Sequence, residues 1–79
     1  HDQPSDVRLA RHLIELPASD DGDVTITQQE MGDLLGLSRV TLGAALAKLQ
    51  SEQLVERGYG KIRIPDRARL AKWVQDRLN

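Results

Sequence analysis

The stretch TQQEMGDLLGLSRVT, Thr27 to Thr41, holds two helix starts and one helix stop. Thr27 followed three residues later by Glu30 is a capping box: the threonine oxygen accepts from the backbone of the first turn while the glutamate reaches back to the cap. A helix is predicted from there to about Leu35, and its apolar residues are Met31, Leu34 and Leu35. Gly36 stops it, Leu37 follows as a buried plug, and Ser38 caps the next helix. So short a link forces a large crossing angle instead of an antiparallel pair, which makes a helix-turn-helix.

In the helix that Ser38 opens, Leu42, Ala45, Leu46 and Leu49 recur at i, i+3, i+4 and i+7 and form one buried stripe. Arg39, Val40, Gly43, Ala44, Ala47 and Lys48 are left pointing away from it. Downstream, Leu54 to Arg57 reads as a strand, Gly58-Tyr59-Gly60 as a tight turn, and Lys61 to Ile64 as a second strand closed by Pro65. Arg57 and Lys61 flank the tip, and a basic hairpin directly after a helix-turn-helix is a wing.

Upstream, Ser5 or Asp6 can cap a first helix whose stripe is Val7, Leu9, Ala10, Leu13, Ile14 and Leu16, and Pro17 stops it. Residues 18–23, ASDDGD, are a polar turn, and Val24-Thr25-Ile26 alternates as a minor strand. After the wing, Asp66 caps a last helix in which Leu70, Trp73, Val74 and Leu78 pack back on the body, with Trp73 in the core. The predicted fold is α+β, mainly α: a winged helix-turn-helix with a three-helix core, a small β-hairpin wing and a C-terminal helix. It forms one domain over residues 1–79, the helix-turn-helix at 27–53 and the wing at 54–65.

Seventy-nine residues support one compact core without a roomy cavity, which weighs against a deep active site. The chain has no cysteine, so disulfides, thiolate metal sites and thiol nucleophiles are excluded. No apolar run approaches the roughly 20 residues of a membrane span, so no membrane partner and a cytoplasmic location are expected. The chain begins at His1 and its one methionine is Met31, so a fragment of something longer, or a processed product, is expected. The net charge of −1 conceals a polarity: residues 1–38 hold eight acids and two bases, a balance of −6, and residues 39–79 hold nine bases and four acids, a balance of +5. A polyanion-facing side beginning at Arg39 is the reading that follows.

Enzymatic readings find no support. His12 and Glu15 at i, i+3 are too few ligands for a catalytic metal, and Asp20-Asp21-Gly22-Asp23 lacks the glutamate that a calcium loop needs eleven residues on. Ser38 and Ser51 have no histidine base in plausible sequence context. No enzyme is expected.

The run from Val24 to Ile64, VTITQQEMGDLLGLSRVTLGAALAKLQSEQLVERGYGKIRI, resembles the C-terminal DNA-binding winged helix of Crp/Fnr-type transcriptional regulators. The most specific parts are T-x-x-E-[MIL]-[GA]-x-x-[LV]-G-x-S-R-x-T from Thr27 to Thr41 and L-x-x-L-x-x-x-x-L-[VI] from Leu46 to Val55. The resemblance implies sequence-specific double-stranded DNA binding, with the third helix in the major groove and the wing on the backbone. It implies phosphate contacts from Thr27, Gln28, Gln29, Ser38 and Lys48, and from Tyr59, Lys61 and Arg63 of the wing. Arg39 matches the arginine that enters the groove, where its fork can bond guanine at two acceptors; Val40, Thr41, Gly43 and Ala44 complete the base-reading candidates. Two positions depart from the family's best-known members, which place an acid at Val40 and often an arginine at Ala44. Val40 cannot accept from a cytosine amine but can touch a thymine methyl, so a different target sequence is expected.

Family members carry an N-terminal sensory domain and a long dimerising helix, neither of which is in this chain. No cofactor is expected here; a cyclic nucleotide or other effector belongs to that missing domain. A homodimer is implied for the longer protein, a weak-binding monomer for the isolated domain, and RNA polymerase is a further implied partner. The competing reading is a winged helix that docks proteins, suited by the apolar outward side of Val40, Gly43, Ala44 and Ala47. The placement of Arg39, Lys48, Arg57, Lys61 and Arg63 discriminates: one continuous face for DNA, a scatter for a docking module.

Overall fold

The computed structural model describes residues 3–78, in the order α1 (Ser5–Glu15), β1 (Asp23–Val24), α2 (Gln28–Leu35), α3 (Arg39–Ser51), β2 (Glu56–Gly58), β3 (Lys61–Arg63) and α4 (Arg67–Leu78). The predicted winged helix-turn-helix is present. α1 lies against both α3 and α4, and its Leu9, Ala10 and Leu13 share a single buried cluster with Leu42, Leu46 and Leu49 of α3 and Leu70, Trp73 and Val74 of α4. The sheet order is β1-β3-β2, all antiparallel, with Asp23 opposite Arg63 and Gly58 opposite Lys61. Ile62 of the central strand turns into the core while Lys61 and Arg63 stay exposed, as two-residue alternation requires.

The elements depart from the sequence reading in four places. Neither Ser5 nor Asp6 caps α1; Pro4 precedes the first turn with φ −57°, and no side chain caps it. Asp6 is instead drawn under the fold, because Lys48 of α3 reaches its carboxylate at 3.3 Å. The minor strand is Asp23–Val24 and not residues 24–26, since Ile64 N–H donates to Gly22 O at 2.8 Å and starts the pairing a residue early. The strand expected over 54–57 is Glu56–Gly58: Leu54 and Val55 are buried where the chain leaves α3, and Gly58 pairs with Lys61, which shortens the turn to Tyr59-Gly60 with Gly60 at φ +68°. Of the apolar residues of α2, Leu34 is 55 % exposed. The buried side of α2 is set by Met31, Gly32 and Leu35, and Leu34 falls about 100° round the helix from it. Finally, Leu78 at the end of α4 is 41 % exposed.

Candidate nucleic-acid interface

The capping box at Thr27 is formed. Glu30 N–H donates to Thr27 Oγ1 at 3.0 Å and Thr27 N–H donates to Glu30 Oε1 at 2.9 Å. The Thr27 backbone N–H first, and the Thr27 side chain second, hold the Glu30 carboxyl below the usual carboxylate range. The box uses the N–H groups of Thr27 and Glu30 and leaves those of Gln28 and Gln29 free for an outside acceptor, as a helix start does. At the other end, Gly36 takes φ +69°, Gly36 N–H donates to Asp33 O at 3.3 Å and Leu37 N–H to Gly32 O at 2.9 Å, which is a Schellman closure. The turn passes so close that a Cβ on Gly32 would lie 3.1 Å from Leu37 O.

Three residues on, Ser38 Oγ accepts from Thr41 N–H at 3.1 Å and donates to Thr41 Oγ1 at 3.0 Å. The N–H groups of Arg39 and Val40 are left free in the same way. An open groove runs between the two helix starts, lined by Gln28, Gln29, Asp33, Leu37, Arg39 and Leu42. Two helices therefore present their positive ends to one side of the molecule, each equivalent to about half an elementary charge.

With about 100° per residue, the row opposite the buried stripe of α3 is Val40, Ala44, Ala47 and Ser51. Val40 is 82 % exposed. Arg39, Gly43 and Gln50 lie along one flank of this row, Thr41 and Lys48 along the other. Gln50 Oε1 accepts from both N–H and Nε–H of Arg57 at 3.2 Å, which ties the first strand of the wing to the Arg39 flank. Tyr59 at the tip is fully exposed. Every residue singled out from the sequence is exposed except Gly43, which is half-buried.

The basic half of the chain is less free than its formal charge suggests. Lys48 pairs with Asp6 at 3.3 Å and Lys61 with Asp23 at 3.1 Å, although about half of each lysine side chain stays exposed. Arg67 donates to the carbonyls of Ile14 and Leu16 at the end of α1, and Arg69 to those of Glu52 and Gln53 after α3. Arg77 lies 3.9 Å from the centre of the Trp73 ring, and Lys72 pairs with Asp76. Of the nine bases from Arg39 onward, only Arg39 and Arg63 have no polar partner among the described residues. Sequence reasoning missed Asp6 and Asp23 as lysine partners and the carbonyl-binding arginines, because each joins segments distant along the chain. Among the described residues no three His, Cys, Asp or Glu side chains gather at a metal-sized site, and no helix is long and apolar enough to cross a membrane.

Residues 7–73 match the Crp-like helix-turn-helix domain. The chain belongs to that family. It is thereby a transcription-regulator DNA-binding domain in type. No curated protein sequence matches it. A transcriptional regulator of the CRP/FNR family from Thermus thermophilus superposes with a TM-score of 0.79 at 27 % identity over 95 % of this chain and 42 % of that one. The reduced Fe(II) CO-sensing protein from R. rubrum superposes at 0.75 with 34 % identity over 85 % of this chain and 34 % of that one. The T. thermophilus catabolite activator protein gives 0.75 and 25 %, over 90 % and 34 %. This Crp-like domain thus spans well under half the length of these three proteins.

Proposed function

We propose that this Crp-like domain binds double-stranded DNA sequence-specifically, as the output unit of a longer Crp/Fnr-like transcription regulator. The observation that carries the reading is Arg39: an exposed guanidinium with no partner among the described residues, at the start of α3, beside two helix N-termini whose first-turn N–H groups are free. α3 enters the major groove with Arg39 forked on a guanine, flanked by Val40, Thr41, Gly43 and Ala44 at the base edges. Thr27, Gln28, Gln29 and Ser38 hold phosphates at the helix starts, and Tyr59, Lys61 and Arg63 follow the backbone along the wing. Lys48 adds a phosphate contact of reduced strength, since Asp6 already offsets its charge.

The unit is one domain, with the helix-turn-helix at 27–53 and the wing at 54–65, and it performs no catalysis. In the longer protein it works as a two-fold dimer on a pseudo-palindrome, with RNA polymerase as a further partner and a cyclic nucleotide or other effector on an N-terminal domain. The exposed apolar row of Val40, Ala44 and Ala47 favours a second reading, a protein-docking winged helix.

The test is selection from a random duplex pool at low salt by the domain joined into a dimer at its N-terminus, run beside Arg39→Ala. A two-fold motif that loses preference at one base position in the variant supports the proposal, at a cost of ~1–3 kcal/mol. Retention without any motif, or a variant with unchanged preference, removes Arg39 as the reading residue. No retention at all favours the docking reading.

A further inference from the structure

The outermost row of α3 holds no side chain that can bond a base edge before Ser51: Val40, Ala44 and Ala47 are apolar, and Gly43 beside them has none. Val40 projects about 170° from the buried stripe, further from the core than Arg39 does. The fold makes no use of it. It is 82 % exposed, it packs on nothing in the core, and valine is a poorer helix former than alanine at an exposed site. Its branched Cβ leaves essentially one rotamer in a helix, so its two methyl groups are held ready at no further entropic cost.

In the major groove the pyrimidines differ at two places: the hydrogen-bonding group at C4, and the substituent at C5, which is a methyl on thymine and hydrogen on cytosine. A side chain without donor or acceptor is blind to the first and senses the second through apolar contact alone. We propose that Val40 is a reader of the pyrimidine 5-methyl group, next to the guanine held by Arg39. Thymine and 5-methylcytosine are accepted at that position, and uracil and unmethylated cytosine are disfavoured. The inference rests on the duplex-binding reading above and adds the chemistry that the position recognises. It also makes binding responsive to cytosine methylation wherever cytosine occupies that place.

The probe is the duplex enriched by the wild-type selection, remade with each thymine of the half-site in turn as deoxyuridine, and with 5-methylcytosine or cytosine at the same positions. Each comparison keeps the hydrogen-bonding group constant and changes one methyl. At one position both ratios, thymine over uracil and 5-methylcytosine over cytosine, are expected near four-fold per half-site, the worth of about one buried CH2 or CH3 group. Val40→Ala, at an exposed site where alanine favours the helix, should bring both ratios towards one. Ratios near one at every position overturn the inference and leave duplex binding standing, as does a methyl preference that survives in Val40→Ala. Failure to enrich any duplex overturns both.

Discussion

Gly43→Ala should strengthen the fold and weaken the function, and the opposition of signs is the informative part. Gly43 lies inside α3 with helical backbone, and a Cβ built there meets nothing within 4 Å. The folded chain can accept the methyl, and alanine in a helix interior is favoured over glycine by about 0.5–1 kcal/mol. A domain of 79 residues is stable by only about 4–12 kcal/mol, and at about 4–8 °C per kcal/mol the transition should rise by roughly 2–8 °C. In the proposed docking the same methyl stands on the outward flank between Arg39 and Gln50, where glycine would let the helix backbone approach the base edges. If that seat is packed as closely as a protein core, the added group costs about 1–2 kcal/mol, some five- to thirty-fold in affinity.

Thermal melts by circular dichroism and anisotropy titrations on the selected duplex read the two effects separately. A transition that stays put or falls would mean that the space around Gly43 is not open. A raised transition with undiminished DNA affinity would mean that this flank of α3 does not face the groove, and the docking geometry proposed for Arg39 would go with it.

Gly22→Ala should act in the opposite way on stability: Gly22 sits at φ +84° with its would-be Cβ 2.4 Å from Ile64 O, so the variant must give up the Ile64–Gly22 bond that begins β1–β3 pairing. A loss of about 2–4 kcal/mol is expected by urea unfolding, and a loss under 1 kcal/mol would show that the turn is not held as described. Glu30 titrates below its unfolded value, so its capping contribution is complete above about pH 4.3 and is lost as the pH falls through the lower folded value. The wild-type melting temperature should therefore drop more steeply than that of Glu30→Gln between about pH 5 and 3, and parallel curves would deny the effect. Arg63→Ala should lower the slope of log K against log salt by about 0.9, the value of one phosphate contact, and Lys48→Ala by clearly less because Asp6 already offsets that charge. Equal changes would show that the Asp6 pair opens on DNA.

What was legible in the sequence is what is local. Thr27 with Glu30, Gly36, Ser38 and the Leu42-Ala45-Leu46-Leu49 stripe are each decided within seven residues, and each is where its spacing put it. The exposed positions of the site follow from the same periodicity. The direction of Leu34 was not legible, because an eight-residue helix holding one buried glycine does not reveal its inward side, which depends on how near the turn comes to Gly32. The end of α3 was invisible for a related reason. Leu54 N–H donates to Leu49 O and Gln53 N–H to Gln50 O, the same closure that Gly36 makes after α2, but the left-handed residue here is Gln53 at φ +61°, with no glycine to mark it. Its conformation is held in part by Arg69, which binds its carbonyl from α4.

Charge was the least legible feature, and its correction bears on how the domain must work. A balance of +5 over residues 39–79 suggested a strongly basic face, yet Asp6 and Asp23, 42 and 38 residues away from their lysines, return two of those charges to the acidic half. Arg57, Arg67, Arg69 and Arg77 are committed to fastening the wing, α4 and the helix ends, and Lys72 pairs with Asp76 on its own helix. What remains for a polyanion is Arg39, Arg63, two half-neutralised lysines and the positive ends of α2 and α3. On the proposed reading one copy therefore neutralises only a few phosphates, so its non-specific affinity is low and its salt dependence shallow. Specificity at physiological salt then comes from joining two copies, which makes the second half-site an intramolecular partner of the first. On that same proposed reading, a domain poor in free charge is well suited to control by an effector that acts only on the pairing of its two copies, because a single unpaired copy would hold too few phosphates to remain on DNA.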